Sequence, residues 1–197
     1  MAGATVVAVF GCGDRGSSTS APLAAGTGAA AGAARISATA SAEGKPGPPV
    51  DVELSVTSLL AVGQAPISVR LSMLAGRPVA RASADVAVSG PLSLVGNHGD
   101  GWAGVGAHER RTTEAGVRVD GLGHGEIRGT VTVTGQSEAD GQGRTAVLYV
   151  LATGDEVLIG PNGPTALELL HLDHLRASQH LSDDDYIRRR DQIISGG

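Results

Sequence analysis

The chain has 197 residues, a net charge of −5, 41% hydrophobic residues and only 2% aromatic ones. That length holds one ordinary domain with appendages, or two very small domains. Four rings (Phe10, Trp102, Tyr149 and Tyr186) and a slight acidic excess exclude a basic, aromatic surface for stacking on nucleic acid. The single cysteine, Cys12, excludes an internal disulfide and any multi-cysteine zinc site.

The first eleven residues carry no charged side chain and lead directly to Cys12 through Val9-Phe10-Gly11. An apolar stretch closing on a small residue and a cysteine resembles the lipobox of bacterial lipoproteins. The resemblance implies that residues 1–12 are a signal segment, that Cys12 carries a lipid on sulfur, and that the membrane is a partner through this lipid. It places the chain in the cell envelope, on the outer face of the cytoplasmic membrane. No Lys or Arg precedes Cys12, and the apolar run is short; a start upstream of Met1 would account for both. The same residues spell Gly11-x-Gly13-x-x-Gly16 after the apolar run Val6–Phe10. This is the pattern that brings backbone close to a dinucleotide pyrophosphate. It supports an alternative in which the chain is an intracellular nucleotide-dependent enzyme. The helix that pattern requires would have to form from Ser17-Ser-Thr-Ser20 and Pro22, which are poor helix material.

Between Ser17 and Pro49 the only large apolar residues are Leu23 and Ile36, among Ala, Gly, Ser, Thr and Pro. Such a composition buries too little area to offset ordering entropy, so residues 13–49 read as a flexible tether. From Val50 the pattern becomes that of half-buried strands. Val50, Val52, Leu54 and Val56 alternate with Asp51, Glu53 and Ser55, and Ile67, Val69, Leu71 and Met73 repeat the alternation. Further strands are expected over Val79–Val88, Leu92–Val95, Val117–Val119, Glu126–Thr134, Arg144–Thr153 and Glu156–Ile159. Turn signals such as Ser89-Gly-Pro91, Ala139-Asp-Gly141 and Thr153-Gly-Asp155 separate them.

After Pro161-Asn-Gly-Pro164 the period changes to that of a helix. Thr165–Ser178 carries Leu167, Leu169, Leu170, Leu172 and Leu175 without an internal Gly or Pro. A second helix starts at an N-cap, Ser182, with Asp185 as capping-box partner and Leu181 placed to staple onto Tyr186. Asp183–Asp185 sit at the positive end of its dipole, and Arg188 and Arg189 are spaced for i, i+4 pairing with Asp184 and Asp185. Residues 165–197 are therefore expected to form a helical hairpin.

Few residues in this pattern point to chemistry. His171 and His174 lie three apart on the first helix, beside Asp173 and near His180, but two histidines are short of a zinc site. They read as solvated polar-face residues. His98, Asp100, His108, Glu109, Asp120 and His124 fall in turn-rich sequence without a recognisable ligand spacing, and Asn97–Gly101 lacks the spacing of a calcium loop. No nucleophile elbow, phosphate-binding loop or His-Glu-x-x-His helix is present. No catalytic residue, cofactor or metal is expected. Trp102, in the glycine-rich run Gly96–Gly104, is either an exposed binding anchor or a plug for a core of small residues; the scarcity of rings favours the plug.

Residues 50–160 look like immunoglobulin-like domains of bacterial surface proteins. The carrying segments are Val62-Gly-Gln-Ala-Pro-Ile-Ser-Val-Arg-Leu71, Asp85–Gly96, Gly125–Val133 and Thr145–Thr153, without the Cys…Trp…Cys signature of antibody domains. The resemblance implies an antiparallel β-sandwich serving as a spacer or binding module. Leu167–Ile194 resembles the short C-terminal hairpins called SHOCT domains, in a leucine-bearing helix, a short turn and Ser182-Asp-Asp-Asp-Tyr186; the glycine usual in that turn is absent. This resemblance implies a protein partner or self-association through the hairpin. The expected architecture is mainly β, with a disordered tether, an immunoglobulin-like sandwich and a C-terminal α-helical hairpin.

Overall fold

The computed structural model describes residues 36–40, 47–56, 63, 65–135 and 141–195. Ten strands come first: β1 (Ile36–Ala40), β2 (Val50–Val56), β3 (Ile67–Ala75), β4 (Val79–Ser89), β5 (Leu92–Val95), β6 (Gly99–Val105), β7 (Arg110–Val119), β8 (Gly123–Thr134), β9 (Gln142–Ala152) and β10 (Val157–Gly160). Two helices follow, α1 (Pro164–Ala177) and α2 (Asp183–Ser195). The strands form two five-stranded antiparallel sheets, ordered β1-β2-β3-β7-β5 and β10-β9-β8-β4-β6.

Alternation along each strand sends one set of side chains inward, where the two sets meet as one core. Val52, Leu54, Leu71, Met73 and Val117 come from the first sheet; Val86, Ile127, Val131, Leu148 and Val150 come from the second. The strand order explains the immunoglobulin-like pattern. β2-β3-β7-β5 follows the A-B-E-D order of those sandwiches, and β4, β8 and β9 take the places of C, F and G. β6 extends the second sheet beyond β4 although it comes after β5 in the chain, and β1 and β10 add one strand each at the opposite flank.

The interior is filled by aliphatic side chains, and Gly129 leaves room for leucines of the facing sheet. A Cβ on Gly129 would lie 2.6 Å from Leu71 Cδ1 and 3.0 Å from Leu54 Cδ1. Both leucines are fully buried and hold fixed places in the facing sheet. Trp102, on β6 opposite Ala82, is partly buried against this core, as the plug reading requires.

Four stretches fold where composition, charge and turn residues argued otherwise. Ile36–Ala40, within the expected tether over 13–49, form β1. They pair with β2 in the register Ile36↔Val56 to Ala40↔Val52, with Ile36 and Ala38 buried. Small residues can supply an edge strand when a neighbour provides the apolar area. Residues 47–49 of the same expected tether are also fixed, because the Pro48 carbonyl accepts a bond from Arg144 Nε at 3.2 Å and the Pro49 carbonyl one from Gly76 N–H at 2.9 Å. The glycine-rich run around Trp102 is strand β6, and β7 begins at Arg110, where charge had masked the alternation ending in Val117–Val119. Cys12 and Gly11, Gly13 and Gly16 lie outside the described residues.

The two helices form the expected hairpin. The Ser182 hydroxyl accepts the Asp185 N–H at 3.2 Å and donates to the Asp185 carboxylate at 2.9 Å. The expected i, i+4 ion pairs give way to others: Arg188 pairs with Asp185 one turn earlier, and Asp183 is held by Arg176 of α1 at 2.9 Å. α1 ends in a Schellman turn, with His180 N–H bonded to the Leu175 carbonyl and Gln179 N–H to the Arg176 carbonyl, both at 3.0 Å. Gln179 takes the left-handed conformation there, φ 60°, where glycine is usual. A left-handed non-glycine residue costs about 1–2 kcal/mol, and the paired carbonyls at the helix end offset it.

Gly129→Ala tests the intimacy of the sheet contact. The added methyl must displace Leu71 or Leu54, so a loss of about 1–3 kcal/mol is expected in urea denaturation; an unchanged midpoint would show that the sheets have room to part.

Candidate functional site

β10 departs from simple alternation, since Val157, Leu158, Ile159 and Gly160 are all buried. Val157 and Ile159 belong to the sandwich core, whereas Leu158 and Leu151 of β9 point to the outer face. There they meet Leu167 of α1, with Tyr149 and Leu170 at the margin. The hairpin is therefore docked on the outer face of β9 and β10, and Tyr149 serves this second cluster.

A polar anchor reinforces the apolar contact. The turn between β9 and β10 closes with Thr153 N–H bonded to the Glu156 carbonyl at 2.9 Å and Glu156 N–H bonded to the Thr153 hydroxyl at 3.1 Å. This turn aims the Glu156 side chain at α1, where it is 8% exposed. His171 Nδ1 lies 2.6 Å from one carboxylate oxygen and His174 Nδ1 2.9 Å from the other. A carboxylate only accepts, so both imidazoles donate through Nδ1–H, and their neutral forms carry the free lone pair on Nε2. The i, i+3 spacing gives the physical reason for two histidines here: one turn of helix sets two donors on one buried acceptor. The reading of His171 and His174 as solvated polar-face residues is thus corrected. Their spacing signals a shared partner, but that partner lies in another element, at a distance in sequence that periodicity does not encode.

Beside this anchor, α1, α2 and the ends of β8 and β9 bound an open cleft of ≈ 410 Å³. Leu151, Leu172, Leu175 and Ile193 line it with Arg189 and His124 at its rim. His124 Nε2 meets Glu168 Oε1 at 2.8 Å, a second tie between the sandwich and α1. The remaining polar residues flagged in the sequence are dispersed. His98 pairs with Asp85 at 3.1 Å, Glu109 bonds the Gly106 N–H at 2.7 Å, Asp120 pairs with Arg118, and His180 bonds Ser178 at 2.7 Å. Among the described residues no three His, Cys, Asp or Glu side chains are grouped to hold a metal ion.

α2 is held to α1 through exposed polar contacts. The Tyr186 hydroxyl donates to Asp173 at 2.7 Å, and the Arg176 guanidinium lies 4.7 Å from the centre of the Tyr186 ring, a cation–π geometry. The bond to Asp173 holds the Tyr186 pKa above the ordinary tyrosine value.

Two predictions follow the two attachments. Glu156→Ala removes the shared acceptor and leaves two half-buried donors unpaired, which is expected to cost about 2–4 kcal/mol. Amide exchange should accelerate in α1 before the sandwich; uniform acceleration would mean that Glu156 does not anchor the hairpin specifically. For Tyr186, a raised folded-state pKa means that its contribution is fully present below the free tyrosine value of about 10 and is lost as pH rises through the folded value. In a 295 nm titration, Asp173→Asn should move one of the two tyrosine steps downward; an unmoved curve would refute the coupling.

Comparison with known proteins returns no match to a family model, a curated protein or a solved structure.

Proposed function

We propose that the chain is a non-catalytic binding or scaffolding module of the cell envelope, attached to the membrane through a lipid on Cys12. The observation that carries this reading is the order of segments in one chain. The apolar stretch ending in Val9-Phe10-Gly11-Cys12 comes first, and Ala/Gly/Ser/Thr-rich sequence separates it from β1, which begins the sandwich at Ile36. An anchored domain needs such a spacer to stand clear of the headgroups.

The use of charge in the sandwich supports a scaffold. Arg70 bonds Glu114 at 2.7 Å across β3 and β7, and its guanidinium holds the Glu114 carboxyl below the usual range. Arg110 reaches Glu53 at 3.2 Å, and Arg128 pairs with Glu126 on β8. These groups lie along the outer faces of sheets and satisfy one another there, instead of converging on a point where a substrate could react. Each exposed pair adds at most about 1 kcal/mol, so their contribution is solubility and register.

The test is metabolic labelling with a palmitate analogue, with the chain expressed from its own locus so that any upstream sequence is retained. The wild type should incorporate label and sediment with membranes, and Cys12→Ala should lose both properties. Label retained in Cys12→Ala, or none in the wild type, would overturn the anchor.

A further inference from the structure

The cleft between the hairpin and the sandwich has an aliphatic wall, formed by Leu151 of β9, Leu172 and Leu175 of α1, and Ile193 of α2. Its volume of ≈ 410 Å³ falls within the roughly 300–1,000 Å³ of small-molecule sites. Leu175 and Ile193 are only half-buried, and α2 buries none of its own residues. The two helices thus leave between them an apolar surface that neither covers.

The polar groups around this wall fall into two sets. Those from the sandwich and α1 already have partners. His124 Nε2 meets Glu168 at 2.8 Å, His171 Nδ1 donates to Glu156, and the Thr153 hydroxyl donates to the Glu156 carbonyl at 3.1 Å. Those from α2 do not. The side chains of Arg189 and Gln192 make no ion pair or hydrogen bond with any described residue, and at i, i+3 they stand one turn apart on one face of α2. A cation and an amide donor beside an aliphatic wall are complementary to a molecule with an anionic head and a hydrocarbon tail.

We propose that this cleft binds a medium-chain aliphatic carboxylate, its head at Arg189 and Gln192 and its chain along the leucines and Ile193. The planar guanidinium of Arg189 donates two parallel N–H bonds to one carboxylate, and the Gln192 amide supplies a further donor. Glu168 lines the cleft from α1 and repels an anion there, which sets the head on α2 and the tail toward Leu151. Removal of the chain from water supplies affinity, and the charged head supplies the choice of sign. A ligand of this size should bind with a Kd on the order of 10–100 µM. The proposal rests on the reading of the chain as a binding module and gives it a ligand. It needs the folded hairpin but not the lipid on Cys12, so loss of palmitate labelling and loss of this binding are separate outcomes.

The test is calorimetric titration of the full, unlipidated chain with decanoate kept below its micelle concentration. Decanoate should bind one to one. Hexanoate should bind at least about tenfold more weakly, because each buried CH₂ contributes roughly fourfold. Decyltrimethylammonium, with the same chain and a positive head, should also be weaker by about tenfold or more. Arg189→Gln removes the charge at an exposed position, and circular dichroism checks that its helices persist. This variant should weaken decanoate by about five- to tenfold and leave uncharged decanol within about twofold of wild type. The comparison among ligands holds on the wild-type chain alone and needs no variant to fold. Decanoate affinity unchanged in Arg189→Gln, equal binding of the positive head, or no binding up to about 1 mM would overturn the proposal. So would a chain that ignores decanoate but binds vesicles of phosphatidylcholine and phosphatidylglycerol, which would assign the wall to a bilayer surface.

Discussion

β10 presents apolar side chains to both of its faces, and the rest of the molecule is arranged around the need to cover the second one. Val157 and Ile159 are satisfied by the sandwich core, but Leu158, together with Leu151 of β9, would leave apolar area on the outside of a sheet edge. Leu167 of α1 closes over them. Burial of side chains of this size contributes about 1.5–3 kcal/mol each, enough to hold a helix that would not persist alone in water. The hairpin is thus the third layer of the domain along this flank, and the loop Pro161–Gly163 is short because the helix must turn back at once onto the strand it has just left.

Polar contacts then divide the hairpin into a fixed and a loose helix. The buried Glu156 carboxylate accepts from the half-buried His171 and His174, and an unmatched buried acceptor is costly, so these contacts set the position of α1 along the strand. The contacts of α2 with α1 are of another kind: Arg176–Asp183, Tyr186–Asp173 and the guanidinium over the Tyr186 ring are all open to solvent. Such contacts are weak one by one. Local opening of α2 therefore requires less free energy than opening of α1, and α1 less than the sandwich.

The sequence disclosed most of this by periodicity. Strands with one wet face, such as β2 and β3, were legible from alternation, and both helices from leucine spacing and the Ser182 cap. What alternation did not reveal were elements whose stability comes from a neighbour. β1 is built of small residues and becomes a strand because β2 offers it Val52, Leu54 and Val56 as partners. β6 is rich in glycine and is held along β4 from Val79↔Val105 to Asp85↔Gly99. Gln179 occupies a glycine position because two backbone hydrogen bonds hold the turn around it. At the docking face, the histidine pair was visible and its role was not, since Glu156 reaches it only once β9 and β10 have folded into a hairpin.

The edges of both sheets are built against pairing with a further strand. An open strand edge pairs readily with another chain, and proteins blunt such edges with short strands, charge or cover. β1 and β10, at one flank, lie against each other and against β9, and α1 covers the outside of β10. At the other flank β5 has only four residues, and β6 carries Asp100 and three glycines along its exposed length. Lateral growth of either sheet is thereby disfavoured.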